Sequence, residues 1–123
     1  MKSTPIEPAT LSNPAAPFSQ GMLTSSGATW LHISGQISGE GSCEDQAQTV
    51  WNQITQVLKE AGMEIRNLVK INQYIVAGTD VSAYTKVRNS FLDGHRPANT
   101  LVLVPALAGE GVLLEVEAVA AKF

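Results

Sequence analysis

Two glutamates separated by one residue are the clearest candidates for chemistry in this chain. Glu115 and Glu117 flank Val116 in a largely apolar stretch, and residues two apart in a strand point to the same face, roughly 6–7 Å apart. Two carboxylates at this spacing can position a water molecule and tune its reactivity. A solvated strand face has the same pattern, so periodicity alone leaves both interpretations open.

The other reactive side chains do not suggest a metal site or a nucleophile. His32 could reach a binding cleft, but a single histidine is more typical of a structural or surface position, and His95 is expected to face solvent. Cys43 is the one cysteine in the chain, which excludes an internal disulfide; its place near a helix start could slightly activate its thiol. We expect no metal, no cofactor, and no Ser-His-Asp or Cys-His arrangement.

Size and charge restrict the class of protein. A chain of 123 residues is expected to be one domain, 1–123. Its net charge of −3 (8 basic minus 11 acidic side chains) argues against nucleic acid and anionic membranes as partners. The apolar run at 101–107 contains Pro105 and is too short to span a bilayer. Residues 1–5 lack the apolar stretch of a secretory signal, so we expect a cytoplasmic protein.

The pattern of apolar residues predicts a β-β-α-β-α-β-β order that would position the two glutamates. Residues 1–16 are interpreted as an extended arm without secondary structure. The predicted elements are a hairpin of strands 18–24 and 29–37 turning at 25–27, a helix from Ser42 to Gly62, a strand at 69–76, a helix from 79 to 94, and strands at 100–104 and 112–121. This order predicts an α+β fold, a mixed sheet with two helices on one face.

Alternation also predicts an apolar second face of the sheet. The residues expected there are Trp30, Leu101, Leu103 and Val119. An exposed apolar patch of this kind usually marks an interface, so we expect association between copies.

Four segments together resemble the Rid/YjgF family of small imine deaminases. They are PFSQG at 17–21, ISGQI at 33–37, RPANTL at 96–101 and LEVEA at 114–118. The resemblance covers nearly the whole chain. It implies a chorismate mutase-like fold and a homotrimer with a central barrel, in which three clefts between subunits bind a small molecule.

The resemblance also implies roles for particular residues. Glu117 would orient the attacking water, while Ser34 and Gly35 would line the cleft. Phe18 stands where the deaminases commonly have tyrosine, and it offers the cleft a ring without a hydroxyl. Leu101 stands where family members often have cysteine and would make the pocket more apolar.

Asn99 departs from the pattern, because the family's deaminases have an arginine there to hold the substrate carboxylate. An arginine binds a carboxylate as a charged, bidentate fork, and asparagine offers one uncharged amide. We expect weak activity on 2-iminopropionate and 2-aminoacrylate, and a preference for a neutral polar group. Arg96 lies three residues earlier and is expected on the opposite face of an extended chain, where it could not substitute.

Two functions therefore remain open from the sequence. The first is a hydrolase that removes ammonia from an imine or enamine, with a substrate range altered by Asn99. The alternative is a trimer that binds a small molecule as a sensor or scavenger without turnover. RNA cleavage, which has been associated with family relatives, is disfavoured by the acidic net charge.

Overall fold

A four-stranded mixed sheet covered on one face by two helices forms the body of the protein, which we describe from a computed structural model for residues 2–123. The elements are β1 (Ser3–Ile6), β2 (Gly21–Thr24), β3 (Thr29–Gln36), α1 (Cys43–Glu60), β4 (Leu68–Val76), α2 (Val81–Leu92), β5 (Ala98–Val104) and β6 (Leu114–Lys122). A short 3₁₀ turn, Ile65–Asn67, precedes β4. The predicted α+β class is confirmed.

The last strand of the chain lies inside the sheet. The strand order is β3-β6-β4-β5, with β6 antiparallel to both of its neighbours and β5 parallel to β4. A parallel pair needs a crossover between its strands, and α2 supplies it. Glu117 of β6 is therefore in a central strand, while Asn99 of β5 is in an edge strand.

The N-terminal part of the chain differs from the predicted arrangement. Strand β2 does not form a hairpin with β3; it pairs with β1 in a separate two-stranded sheet, with Ser3 opposite Thr24 and Ile6 opposite Gly21. The prediction that residues 1–16 form an arm without secondary structure is therefore wrong for β1. Residue 1 of that predicted arm lies outside the described residues. The turn residues after Thr24 suggested a hairpin with β3, but the backbone groups of β2 form their hydrogen bonds with β1 instead.

Both helices begin at the caps that the sequence indicates. The Ser42 side chain accepts a hydrogen bond from the Asp45 backbone N–H, and the Asp45 carboxylate accepts one from the Ser42 N–H, which completes a capping box for α1. Asp80 caps α2 through the Ala83 N–H. Gly62 follows α1 with a positive φ of 72°, which favours glycine.

The register of β5 reverses part of the predicted outer face. Leu101 and Leu103 pair with Gln73 and Ile75, which are buried under the helices, so both leucines are on the helix-facing side. Their predicted place on the outer face is wrong, because β5 begins at Ala98 and its alternation is set by pairing with β4. Val102, 40% exposed, points outward instead.

Trp30 and Val119 are on the outer face, as predicted. Trp30 is opposite Ala121 in the pairing of β3 with β6, and Val119 is opposite His32. Trp30 is 49% exposed. The outer face therefore combines apolar side chains with the predicted carboxylates.

Candidate functional site

Glu117 is on the outer face of β6, where two side chains of the adjacent strand hold its carboxylate. The Tyr74 hydroxyl donates a short hydrogen bond to Glu117 Oε1, and Asn72 Nδ2 donates a longer one of 3.5 Å to the same atom. The hydrogen bond to Glu117, then desolvation and the charges of Glu117 and Glu115, raise the pKa of Tyr74 above its ordinary value. The phenol therefore stays protonated as a donor. Within residues 2–123, no hydrogen bond reaches Glu117 Oε2.

Ser34 and Gly35 form a bulge in β3 opposite Glu117. Ile33 pairs with Ala118 and Gln36 pairs with Val116, which leaves two residues of β3 facing one of β6.

The Glu115 carboxylate occupies the space beside the Gly35 Cα that a side chain at position 35 would take. A Cβ built at that position would lie 1.9 Å from Glu115 Oε2. The two glutamates share one face, as predicted, with Glu115 against the bulge and Glu117 against Tyr74.

Asn99 and Leu101 are on the opposite, helix-facing side of the same sheet. Asn99 Oδ1 accepts a short hydrogen bond from Gln73 Nε2, and Leu101 packs partly against the core. Within one chain, the sheet separates these two residues from Glu117.

Phe18 lies beside the start of β5, in an N-terminal segment that is hydrogen-bonded to the Arg96 side chain. Arg96 Nε donates to the Phe18 carbonyl at 3.1 Å, and Nη2 donates to the Asn13 carbonyl at 2.8 Å. Nη2 also forms an ion pair with Glu7 at 3.2 Å. Ser19 then bridges to Ala98 beside the edge of β5. Two guanidinium nitrogens of Arg96, Nε and Nη2, are thus bound by the N-terminal segment, which is consistent with the expectation that Arg96 does not replace a cation at position 99.

A buried polar cluster that the sequence did not reveal lies beneath β4. Gln73 is 1% exposed, and its Oε1 accepts hydrogen bonds from the Tyr84 hydroxyl at 2.7 Å and Arg88 Nη1 at 3.1 Å. Trp51 Nε1 donates to the Tyr84 oxygen at 3.3 Å. Burial raises the pKa of Tyr84 well above its ordinary value, against weaker lowering effects of Trp51 and Arg88.

Two other reactive side chains, those of Cys43 and His95, have structural contacts. Cys43 Sγ lies 3.6 Å from the Asp80 carbonyl, and burial, with Asp80 and Glu44, raises the pKa of its thiol. The raised pKa argues against the slight activation by the helix dipole that the position of Cys43 left open in the sequence. His95 is half-buried and its Nε2 lies 2.7 Å from the Leu68 carbonyl, so it does not simply face solvent.

Among residues 2–123, no group of three or more His, Cys, Asp and Glu side chains is arranged to hold a metal ion. In the same part of the chain, neither helix combines the length and apolar character needed to cross a bilayer.

A cavity of about 790 Å³ lies between the β1–β2 ribbon and the C-terminal ends of the helices. Its lining includes Met22, Lys59, Phe91, His95 and Arg96. None of the six residues predicted to form the site lines this cavity.

Tyr74 and Asn72 are the site residues that sequence reasoning missed. Both alternate on one face of β4, which is a readable signal. Their contact with Glu117 depends on the pairing of β4 with β6, which joins residues more than 40 positions apart.

Known proteins resemble the chain over nearly its whole length. Residues 9–122 match the family model described as Endoribonuclease L-PSP. The mitochondrial protein mmf1 of Schizosaccharomyces pombe is 33% identical over 125 aligned residues, which cover 95% of this chain and 75% of mmf1. A 2-iminobutanoate/2-iminopropanoate deaminase of Capra hircus is 31% identical, over 89% of this chain and 84% of the goat protein.

A solved structure agrees with the fold. YyfB of Yersinia pestis, described as a protein of unknown function of the conserved Rid family, superimposes with a TM-score of 0.85 at 30% identity, covering 99% of this chain and 100% of YyfB. With the family match across 9–122, this likeness shows that the chain belongs to the Rid/YjgF family, whose model bears the description Endoribonuclease L-PSP.

Proposed function

We propose that the protein is a hydrolytic deaminase of a small imine or enamine, acting in clefts between the subunits of a homotrimer without a cofactor. Family membership and the relative named as an imine deaminase support this proposal. The observation that carries it is the Glu117 carboxylate, which is held at Oε1 by Tyr74 and Asn72 and faces the Ser34-Gly35 bulge.

The proposed chemistry uses Glu117 to position water. Oε1 is occupied by donors from β4, so Oε2 is available to accept a hydrogen bond from a water molecule. That water adds through its oxygen to the carbon of the C=N bond, and its proton passes by way of Glu117 to the nitrogen. The resulting carbinolamine loses ammonia and leaves a carbonyl compound. An enamine first takes a proton on carbon and loses one from nitrogen to become the imine.

The arrangement of the predicted residues supports a site between subunits. Glu117 is on the outer face of the sheet, whereas Asn99 and Leu101 are on the helix-facing side of the edge strand β5. One small molecule can meet both groups only if a second copy brings its outer face to the β5 edge. In the proposed trimer, Glu117 of one subunit and Asn99 with Phe18 of its neighbour complete each cleft.

The substrate range is proposed to differ from that of a deaminase with arginine at position 99. Asn99 supplies one uncharged amide, and a hydrogen bond with a charged partner is worth about 1.5–3 kcal/mol. Loss of the fork therefore weakens carboxylate binding on the order of 10- to 100-fold. Turnover of 2-iminopropionate should therefore be slow compared with that by a deaminase that has arginine at position 99. A cytoplasmic location remains a prediction from the sequence.

The test is ammonia release from a panel of 2-imino acids generated in situ by an amino acid oxidase. Wild-type protein should accelerate release over a buffer blank, and Glu117→Ala should lower that acceleration by about 10²-fold or more, because a positioned acid–base group is lost. Glu110→Ala removes the same charge from an exposed loop position and is the matched control. Equal rates for wild type and Glu117→Ala would remove Glu117 from the mechanism.

A non-catalytic trimer that binds a small molecule is the second candidate, favoured by the absence of a cationic fork at Asn99. It predicts that wild type releases no ammonia above the blank from any substrate of the panel. Glu117→Ala would then change ligand affinity without a turnover to abolish.

A further inference from the structure

Arg88 is a buried cation for which residues 2–123 provide no counter-ion. It is 4% exposed, and its guanidinium donates to Gln73 Oε1 at 3.1 Å and to Asn89 Oδ1 at 3.0 Å. Its Cζ lies 5.9 Å from the centre of the Tyr84 ring. Both ion pairs found within residues 2–123 involve other arginines. A buried charge with neutral partners costs stability, so the fold alone gives little reason for an arginine here.

Arg88 fixes the orientation of the Gln73 amide. Arginine has donors and no acceptor, so the Gln73 atom that faces it must be the oxygen. The Tyr84 hydroxyl donates to the same oxygen. Gln73 Nε2 therefore points toward β5, where it donates to the Thr100 carbonyl at 3.1 Å and to Asn99 Oδ1.

The orientation of Gln73 in turn fixes Asn99. Because Gln73 Nε2 is a donor, the Asn99 atom that faces it must be Oδ1, which leaves Nδ2 on the other side. No hydrogen bond to an acceptor within residues 2–123 uses Nδ2, and no buried side-chain nitrogen or oxygen in that part of the chain lacks a partner. It follows that Nδ2 reaches solvent. Asn99 thus presents an N–H donor, and not its carbonyl, beside the edge strand.

We propose that Arg88 is the positioning residue that determines which ligand group Asn99 accepts. Through Gln73 it holds Asn99 Nδ2 outward as a donor, so the bound group is an acceptor oxygen, and its uncompensated positive charge favours a carboxylate over a neutral carboxamide. This reverses the expectation that Asn99 selects a neutral group. The inference rests on the proposed function for the presence of a ligand at Asn99.

The test compares two probes that differ in charge, 2-oxobutanoate and 2-oxobutanamide, by isothermal titration with the full chain. Wild type should bind the carboxylate more tightly than the amide. Arg88→Met should weaken carboxylate binding by about 10-fold and change amide binding by less than about 3-fold. Lys86→Met removes the same charge from an exposed position of the same helix and should change neither.

A second variant tests the donor without removing the cation. Asn99→Asp keeps an oxygen to accept from Gln73 but replaces the Nδ2 donor with a second acceptor. Binding of 2-oxobutanoate should fall at least 10-fold, because its carboxylate would present oxygen to oxygen, whereas 2-oxobutanamide can turn its own N–H donors toward the new carboxylate and should lose less. Circular dichroism and thermal unfolding check that each variant is folded.

The possible outcomes separate this inference from the proposed function. Equal loss of both probes in Arg88→Met, no loss in either variant, or no binding by folded wild type would overturn it. Arg88-dependent binding without ammonia release would retain the inference and remove the deaminase. Ammonia release that depends on Glu117 but does not change in the Arg88 and Asn99 variants would retain the deaminase and remove the inference.

Discussion

Tyr84 is a neutral acid buried in the centre of the protein, and its environment makes it resist ionisation. It is 0% exposed, and its hydroxyl donates to Gln73 while accepting from Trp51. Burial raises its pKa, because the phenolate would lose its hydration. Arg88 nearby offsets this in part, but the direction stays upward. The hydroxyl therefore remains a donor throughout the neutral range.

The raised pKa predicts a loss of stability at alkaline pH. An unfolded tyrosine ionises near about pH 10, while native Tyr84 keeps its proton to a higher pH. Between the pKa of the unfolded tyrosine and the higher pKa of native Tyr84, the unfolded state binds fewer protons than the native state. Over that range the free energy of unfolding should fall by up to about 1.4 kcal/mol per pH unit. Below the pKa of the unfolded tyrosine the contribution is fully present. Urea unfolding at pH 8 to 11 should show a steeper fall for wild type than for Tyr84→Phe.

Tyr84→Phe should also be less stable at neutral pH by about 1–3 kcal/mol, since Trp51 Nε1 loses its acceptor. Tyr74 also has a raised pKa and contributes to the alkaline fall. The contribution of Tyr74 to this loss of stability remains in the Tyr84→Phe variant. Parallel pH profiles for the two proteins would contradict the assignment to Tyr84.

At the scale of elements, the bulge in β3 connects the backbone to the two carboxylates. Gly35 makes room for the Glu115 side chain, and Ser34 is the second bulge residue opposite Glu117. Bulges often redirect side chains beside active sites. This bulge places one carboxylate against the backbone and leaves the other beside Tyr74.

Gly35→Ala should displace the Glu115 carboxylate, because the new Cβ would lie 1.9 Å from Oε2. The end of a glutamate side chain can move, so stability should change by less than about 1 kcal/mol, while ammonia release falls several-fold. Glu115→Ala removes the clash, and the double variant Gly35→Ala/Glu115→Ala should recover the rate of Glu115→Ala alone. A double variant as slow as Gly35→Ala would locate the effect in the backbone.

The sequence predicted where helices and strands lie along the chain better than it predicted which strands pair with each other. The helix starts predicted at Ser42 and at residues 79–80 are local signals, and both are confirmed, with Ser42 and Asp80 as the capping residues. The pairing of β3 with β6 puts Ser34 and Gly35 opposite Glu117, while the shared site that the family resemblance implies for these three residues stays a prediction. The partner of β2 and the side on which Leu101 lies depend on long-range pairing, which local patterns do not contain.

The buried cluster was hidden from the sequence for a similar reason. Gln73 and Arg88 are usually surface residue types, and their burial follows from how α2 packs beneath the sheet. Asn99 stood out in the sequence because it departs from a known motif, whereas nothing in the sequence pointed to the buried Arg88 behind it.

At the scale of the whole molecule, the outer face determines whether the chain can act alone. Trp30 is 49% exposed and Val102 is 40% exposed on the same side of the sheet as Glu117. Apolar side chains at an exposed sheet face are typical of an interface. The proposed trimer would cover them and close the cleft.

Val102→Glu should therefore break the proposed assembly, because a carboxylate would be buried without a partner. Light scattering should give the mass of a monomer, 13.1 kDa, in place of about three times that value, and ammonia release should disappear with it. Leu11→Glu, at a position 59% exposed outside the sheet, is the control and should leave the mass unchanged. A wild type that is monomeric at micromolar concentration would contradict the trimer.

The position of β6 has a consequence for how the protein folds during synthesis. Until residues 114–122 have left the ribosome, β3 and β4 have no common neighbour in the main sheet, because β6 lies between them. The helices can form earlier from local contacts, but their apolar faces then lack the Val116, Ala118 and Ala120 side chains that complete the core. Nascent chains should thus stay open, and dependent on chaperones, until this strand arrives.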